Sequence, residues 1–153
     1  MLDIRPELVV ANVEAVDAAG VINLLAERLH TQGLVEAGYG AATLAREQEH
    51  PTGLPTKPFP IAIPHADAEG VIQSSLAMAS LKEPVIFQNM ADPDEDLAVE
   101  LVLLLANNNP EEQIQSLRNL SLVFGQPDKL LELRSLTSPV EIARWLDAEL
   151  NVE

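Results

Sequence analysis

Hydrophobic positions recur along the chain with two periods, and these predict helices near both ends and strands in the middle. In residues 17–30, four apolar residues fall on one helical face at spacings of three and four: Val21, Leu24, Leu25 and Leu29. Asp17 is suited to cap this helix, and Gly33 to end it. A second helix is predicted from Gly40 or Ala41 to about Glu49, because a proline at position 51 disfavours helical conformation in the residue before it.

Short apolar runs in the middle of the chain predict strands. The first ten residues, ending in an apolar triplet, predict an edge strand, and further strands are expected at 61–63, 75–81 and 85–87. The run 98–106 is apolar on both faces apart from Glu100, which is typical of a central strand covered by helices on each side. Residues 50–60 hold four prolines and one glycine, so they predict a stiff loop.

The C-terminal part of the chain predicts three more helices. The first spans 111–124, with Gly125 as its cap, and is expected to bury Ile114, Leu117, Leu120 and Phe124. A short helix at 127–133 and a last one at 139–150 follow; Ser138 and Glu141 form a capping box at the start of the last. The sequence therefore predicts one α/β domain over residues 1–153, a sandwich of one mixed sheet with helices on both faces.

The amino-acid composition excludes several classes of function. A net charge of −15 argues against nucleic-acid binding, and this acidity suits either a solvated surface or a partner with a basic face. The chain has no cysteine, which excludes disulfides and thiolate metal sites. We see no signal-peptide pattern, and the longest apolar block, 101–106, is too short for a membrane span, so we expect a cytoplasmic protein.

The carboxylates of the acidic segment 91–96 do not follow the spacing of a calcium loop. We read this segment as a solvated turn or as part of a docking rim, and no metal site is predicted.

Of the three histidines, His65 has the clearest candidate chemistry. It follows the apolar run IAI and a proline, so we expect it at a strand end facing solvent or a shallow cleft, where α/β sheets collect their ligand sites. This context alone favours a structural and a functional histidine equally. An imidazole with an unprotonated nitrogen at neutral pH is nevertheless a nucleophile that can carry a phosphoryl group.

A phosphoryl carrier also needs positive charge or donors for the phosphoryl oxygens. Arg46 ends the predicted second helix and is joined to His65 through the proline-rich loop. Its guanidinium could grip phosphoryl oxygens in a bidentate way. Spacing alone, however, favours a surface ion pair with Glu47 or Glu49.

Taken together, these segments resemble a known family. IAIPHAD, preceded by AREQEHPTG and followed by DPDEDLAVELVLLLA and NPEEQIQSLRNL, resembles the enzyme IIA domains of the bacterial sugar phosphotransferase system, in the fructose/mannitol branch that includes the nitrogen-related regulators. The ARE…PTG segment and the chain length are most similar to the galactitol-type IIA proteins. The resemblance covers nearly the whole chain and implies a phosphotransferase component that needs no metal or cofactor.

The resemblance also implies roles for particular residues. His65 corresponds to the histidine that accepts phosphate from phospho-HPr, through Nε2 in the family, and passes it to a IIB protein or domain that works with a membrane IIC component. Arg46 matches the arginine that holds the phosphoryl oxygens. Several branches carry a second histidine where this chain has Gln113, which can donate an N–H but cannot carry charge. Gln113 either orients the phosphoryl group or lies on the helix surface.

These observations leave three hypotheses about function. The first is a phosphocarrier for uptake of galactitol or a related sugar. The second keeps the same chemistry in a nitrogen-type regulator that acts by phosphorylation-dependent binding. The third is an interaction module that has kept the fold and lost phosphotransfer, and the presence of both His65 and Arg46 argues against it.

Overall fold

One mixed sheet forms the middle layer of the structure, a computed structural model that describes residues 1–151. Its strands are β1 (Val9–Val13), β2 (Gly53–Leu54), β3 (Ile61–Ala62), β4 (Ser75–Gln88) and β5 (Asp96–Ala106). The strand order is β1-β4-β5-β3-β2. The central strand β5 runs antiparallel to β4 and parallel to β3. The predicted α/β class and mixed sheet are confirmed.

Helices cover both faces of this sheet: α1 (Ala18–Thr31), α2 (Tyr39–Glu49), α3 (Pro110–Phe124), α4 (Pro127–Ser135) and α5 (Pro139–Leu150). Their ends follow the signals in the sequence. The side chain of Asp17 accepts a hydrogen bond from the Gly20 amide, and that of Ser138 accepts one from the Glu141 amide. Gly33, with φ of 75°, follows α1 in a conformation that glycine adopts without strain. Short 3₁₀ turns lie at Pro6–Leu8 and Ala68–Gly70.

Alternation along β5 divides the apolar core into two layers. Val102, Leu104 and Ala106 pack under α1 and α2, whereas Leu101, Leu103 and Leu105 pack under α3, α4 and α5. All six residues are buried, as expected of a strand with helices on both sides. Because side chains of β5 are packed on both faces, this strand is held firmly in place. It therefore fixes the position of the residues that contact its C-terminal end.

The structure corrects three of the predictions. The proline-rich loop contains β2, which pairs with β3; its Gly53 lies so close to the Gln88 carbonyl that a Cβ would come within 2.4 Å of that oxygen. The two strands expected at 75–81 and 85–87 form one strand, β4. Its pairing with β5 is irregular between Ser80 and Val85, and this irregularity accommodates Pro84, which has no backbone N–H to donate to the neighbouring strand. Ile114 is 62% exposed rather than buried, since the buried side of α3 runs through Leu120 and Phe124.

One contact anchors the loop after α2. The Glu47 carboxylate accepts hydrogen bonds from both the amide and the hydroxyl of Thr52, at 2.9 and 2.7 Å. Burial raises the pKa of Glu47, and the two hydrogen bonds from Thr52 partly offset that rise. Glu47 is thereby committed to the loop that joins α2 to β3.

No helix in the part of the chain that the structure describes is both long enough and apolar enough to cross a membrane.

Candidate active site

His65 is held by its backbone at the carboxyl end of β3. The chain leaves the strand at Ala62 and stays beside β5, where His65 forms a parallel bridge with Leu105. The Leu105 amide donates to the Pro64 carbonyl at 3.0 Å. The imidazole is therefore attached to a segment that β5 fixes on one side, at the sheet end where α/β proteins place their reacting groups.

One hydrogen bond sets the state of the ring. Nδ1 of His65 lies 2.9 Å from the carbonyl oxygen of Ile63. A carbonyl oxygen can only accept, so Nδ1 must carry the proton and donate it. In the neutral ring, Nε2 is then the nitrogen with the free electron pair.

The ring is more buried than the sequence suggested. His65 is 6% exposed, so the expectation of an imidazole facing solvent or a shallow cleft is wrong for most of the ring; the bridge to β5 and the bond to Ile63 draw it inward. Within residues 1–151, the buried side-chain nitrogen and oxygen atoms without a partner are Arg46 Nε and Asn107 Oδ1. Nε2 of His65 is not among them and accepts no hydrogen bond, so solvent reaches the ring at this atom.

Burial lowers the pKa of His65, and this is the largest influence on it. The hydrogen bond to the Ile63 carbonyl raises the pKa, the positive charge of Arg46 lowers it, and the negative charge of Asp67 raises it again by less. The net effect is a ring that stays neutral at pH 7 and keeps the Nε2 electron pair available.

Arg46 lies in the last turn of α2 and faces the segment that follows His65. Its Nη1 is 4.0 Å from Oδ1 of Asp67, an exposed carboxylate, and its buried Nε has no partner. Among the described residues it forms no ion pair with Glu47 or Glu49, the pairing that spacing favoured. A long, screened contact and an unused N–H leave the guanidinium free to bind an anion.

A cavity of about 530 Å³ adjoins this guanidinium. Arg46 and His50 line it from α2 and the residue after it, and Ala66 and Asp67 line it from the segment after His65. The cavity is open to solvent and borders Ala66, the residue that follows His65.

Gln113 reaches the same segment from α3. Its Nε2 donates to the Ala66 carbonyl at 3.0 Å, so part of its donor capacity holds the backbone next to His65. Of the alternatives left by the sequence, the free helix surface is therefore wrong, because the side chain is half-buried and engaged. Contact with a phosphoryl group stays a prediction.

Tyr39 is the site residue that sequence reasoning missed. Its hydroxyl donates to the Leu105 carbonyl at 2.9 Å and accepts from the Ala66 amide at 3.2 Å, which ties the segment after His65 to β5. Burial raises the pKa of Tyr39, so the hydroxyl keeps the proton that it donates. The sequence offered one signal, which is that Tyr39 is the single tyrosine of the chain and lies at a helix start. In the structure its side chain is 1% exposed.

The acidic segment shows no sign of a metal site. Residues 91–96 are exposed, and the Asn89 side chain and amide donate to the side chain and carbonyl of Glu95, which close the turn. In the described residues, no three His, Cys, Asp or Glu side chains gather in a way that could hold a metal ion.

The chain is similar to known proteins of one family. Residues 4–149 match the family described as "Phosphoenolpyruvate-dependent sugar phosphotransferase system, EIIA 2". The galactitol-specific EIIA component of Escherichia coli K12 is 35% identical over 118 residues, which are 77% of this chain and 78% of that protein.

Solved structures share the fold. The crystal structure of IIA mannitol from Escherichia coli superposes with a TM-score of 0.77 at 26% identity, over 95% of this chain and 99% of that one. The IIA chain in a complex of Escherichia coli IIAMtl with phosphorylated IIBMtl gives a TM-score of 0.64 at 27% identity, over 88% of this chain and 99% of that one.

We predict that Tyr39→Phe loosens the segment after His65. The variant leaves the buried Ala66 amide and Leu105 carbonyl each without a partner, which costs about 1–3 kcal/mol of unfolding free energy. Denaturant unfolding should show this loss, and hydrogen exchange at the Ala66 amide should accelerate by more than global unfolding explains. Thr56→Val is the control, because it also removes a hydroxyl that donates to a backbone carbonyl, that of Phe59, but Thr56 makes no hydrogen bond with Tyr39 or Ala66. Equal acceleration at Ala66 in both variants would contradict the clamp.

We predict that His65 titrates below the ordinary histidine pKa of about 6.5. An NMR titration should show the shift directly. Asp67→Asn should lower the midpoint further, and Arg46→Gln should raise it, because each variant removes the charge that acts in the opposite direction. A midpoint at or above about 6.5 in the unaltered protein would contradict the burial of the ring.

Proposed function

Because the chain belongs to the EIIA type 2 family of the phosphoenolpyruvate-dependent sugar phosphotransferase system, we propose that it is a phosphocarrier that accepts a phosphoryl group on Nε2 of His65. The donor is phospho-HPr, and the acceptor is a cognate IIB protein or domain. One observation carries the proposal: the Ile63 carbonyl binds Nδ1 of His65 and leaves Nε2 free, and Arg46, whose Nε has no hydrogen-bond partner, contacts Asp67 in the segment that follows His65.

The transfer is a displacement at phosphorus. The Nε2 electron pair forms the new N–P bond while the N–P bond of the donor phosphohistidine breaks, and its electron pair returns to the donor ring. The proton stays on Nδ1 of His65, which continues to donate it to the Ile63 carbonyl. The phosphorylated ring is then cationic, and a cationic ring is a good leaving group when the acceptor attacks.

Arg46 supplies the charge for this step. Its side chain is 38% exposed, and the Asp67 contact that holds it is long, so it can exchange that contact for phosphoryl oxygens. The segment after His65 is held in place before the donor arrives, so the transfer requires little movement of this backbone. Gln113 acts by fixing the Ala66 carbonyl, and its remaining N–H is directed to a phosphoryl oxygen.

The proposed partners follow from the comparisons. The IIA chain that superposes on this one is found in a complex with phosphorylated IIBMtl, which supports a IIB acceptor here. Likeness to a galactitol-specific EIIA component favours transport of galactitol or a related sugar over regulation, with a membrane IIC component completing the route. Transfer from HPr places the protein in the cytoplasm, acting as one EIIA domain over residues 1–153.

An exposed apolar residue marks the contact surface for these partners. Ile114 follows Gln113, which binds the Ala66 carbonyl, near the start of α3, and is 62% exposed. Exposed apolar side chains beside a reacting group are typical contact positions for a docking protein.

We predict that His65→Ala abolishes phosphoryl uptake from phosphoenolpyruvate, enzyme I and HPr, and that Arg46→Ala slows it by about 10²- to 10³-fold. Radiolabel incorporation measures both rates. His30→Ala and Arg28→Ala are the controls, because both residues are exposed on α1 and neither lines the cavity beside Arg46. Wild-type uptake by His65→Ala would refute the carrier assignment, and an unchanged rate in Arg46→Ala would remove the arginine from the site.

We predict that Ile114→Asp raises the KM for phospho-HPr or for IIB about tenfold, because it places charge on the docking surface. Leu122→Asp is the control, since Leu122 is 66% exposed on the same helix but lies two turns farther from Gln113. Steady-state transfer rates at varied partner concentration separate the two variants. An equal effect of both, or of neither, would exclude Ile114 from the contact surface.

A further inference from the structure

A second cavity, of about 360 Å³, lies on the other side of α3 from the residues that hold the His65 segment. It is bordered by the start of the chain, the end of β5, α3 and the end of α5. None of its lining residues takes part in the site described above. Its volume is in the range of pockets that hold small organic molecules.

Asn107 gives this cavity an unsatisfied polar group. The residue follows β5, lines the cavity and is 1% exposed, yet its Oδ1 has no hydrogen-bond partner. Buried acceptors are nearly always paired, so one that is not needs an explanation. The other such atom in residues 1–151 is Nε of Arg46, which borders the first cavity.

The lining defines the chemistry of a ligand. None of the lining side chains is basic, and the α-amino group of Met1 is balanced by the negative charge of Glu112, so the lining carries no net charge. Glu112 is the one charged side chain, and it lies in the first turn of α3, where the helix dipole offsets its charge. The other polar groups on α3 are the side chains of Gln115, Ser116 and Asn119, amides and a hydroxyl that both donate and accept. Hydroxyl groups, which also donate and accept, match such a lining, and Leu150 provides an apolar surface for carbon atoms.

We propose that this cavity binds a small, uncharged, polyhydroxylated molecule, with Asn107 and the amides of α3 as its hydrogen-bond partners. The inference is independent of the proposed phosphoryl transfer, because it concerns other residues.

Binding there is linked to the His65 segment through the first turn of α3. Glu112 and Gln113 are adjacent in this turn; the first lines the cavity, and the second donates to the Ala66 carbonyl. Ser74 reinforces the turn, since its hydroxyl accepts from the Asn108 amide at 3.0 Å and lies 3.5 Å from the Glu112 carboxylate. A ligand that moves Glu112 therefore also alters the environment of Ala66.

An NMR titration of the ¹⁵N-labelled protein tests the proposal. The probes are galactitol, glucose and glycerol for hydroxyl recognition, with methylammonium and inorganic phosphate as charged comparisons. We expect saturable shifts at the amides of Gln115, Ser116 and Asn119, and smaller ones at Ala66, with a Kd of about 1 mM or tighter for at least one hydroxyl probe. Absence of saturation by all three hydroxyl probes, or saturation by a charged probe alone, would overturn the proposal.

Variants on α3 locate the site without disturbing the core. Asn119→Leu should weaken binding of the responding probe at least about tenfold by removing a polar partner and filling the cavity, whereas Arg118→Leu, at an exposed neighbouring position that does not line the cavity, should not. Glu112→Gln keeps hydrogen-bonding capacity and should change the Kd less than about threefold for an uncharged ligand. Unchanged binding in Asn119→Leu would place the ligand elsewhere, and a tenfold loss in Glu112→Gln would show that charge, not hydroxyl recognition, determines binding.

Discussion

The chemistry of this molecule depends on the hydrogen bond between Nδ1 of His65 and the carbonyl oxygen of Ile63. This bond decides which ring nitrogen carries the proton, and it holds a largely buried ring so that solvent reaches its free nitrogen. The carbonyl is itself part of the backbone that leads out of β3, beside the central strand. The state of the imidazole is therefore a consequence of how the sheet is built.

The segment after His65 is held by three elements that are distant in sequence. Tyr39 from α2 and Gln113 from α3 bind the amide and the carbonyl of Ala66, and β5 supplies the Leu105 carbonyl that receives the Tyr39 hydroxyl. These contacts leave the Nε–H of Arg46 at the site without a partner. A fixed frame beside a cation with an unused N–H is well arranged to bind the charge that would develop during the proposed transfer.

The sequence predicted the helices and the central strand because their signals are local. Caps such as Asp17 and Ser138, and the apolar run of β5, act over a few residues and appear as expected. The sequence did not predict β2, because this strand depends on pairing with β3. It also predicted burial of Ile114 wrongly, because the rotation of α3 against the sheet decides which of its side chains are buried. At the site, the resemblance predicts roles for His65 and Arg46, but the clamp by Tyr39 and the burial of the ring follow from tertiary contacts that no local pattern records.

The proposed phosphoryl transfer is tested most directly by identifying the nitrogen of His65 that receives phosphorus. After incubation with phosphoenolpyruvate, enzyme I and HPr, ¹⁵N and ³¹P NMR of protein labelled at histidine can assign the bond. We expect phosphorus on Nε2 and a proton retained on Nδ1, as the hydrogen bond to Ile63 requires. Phosphorus on Nδ1, or on a histidine other than His65, would contradict the account.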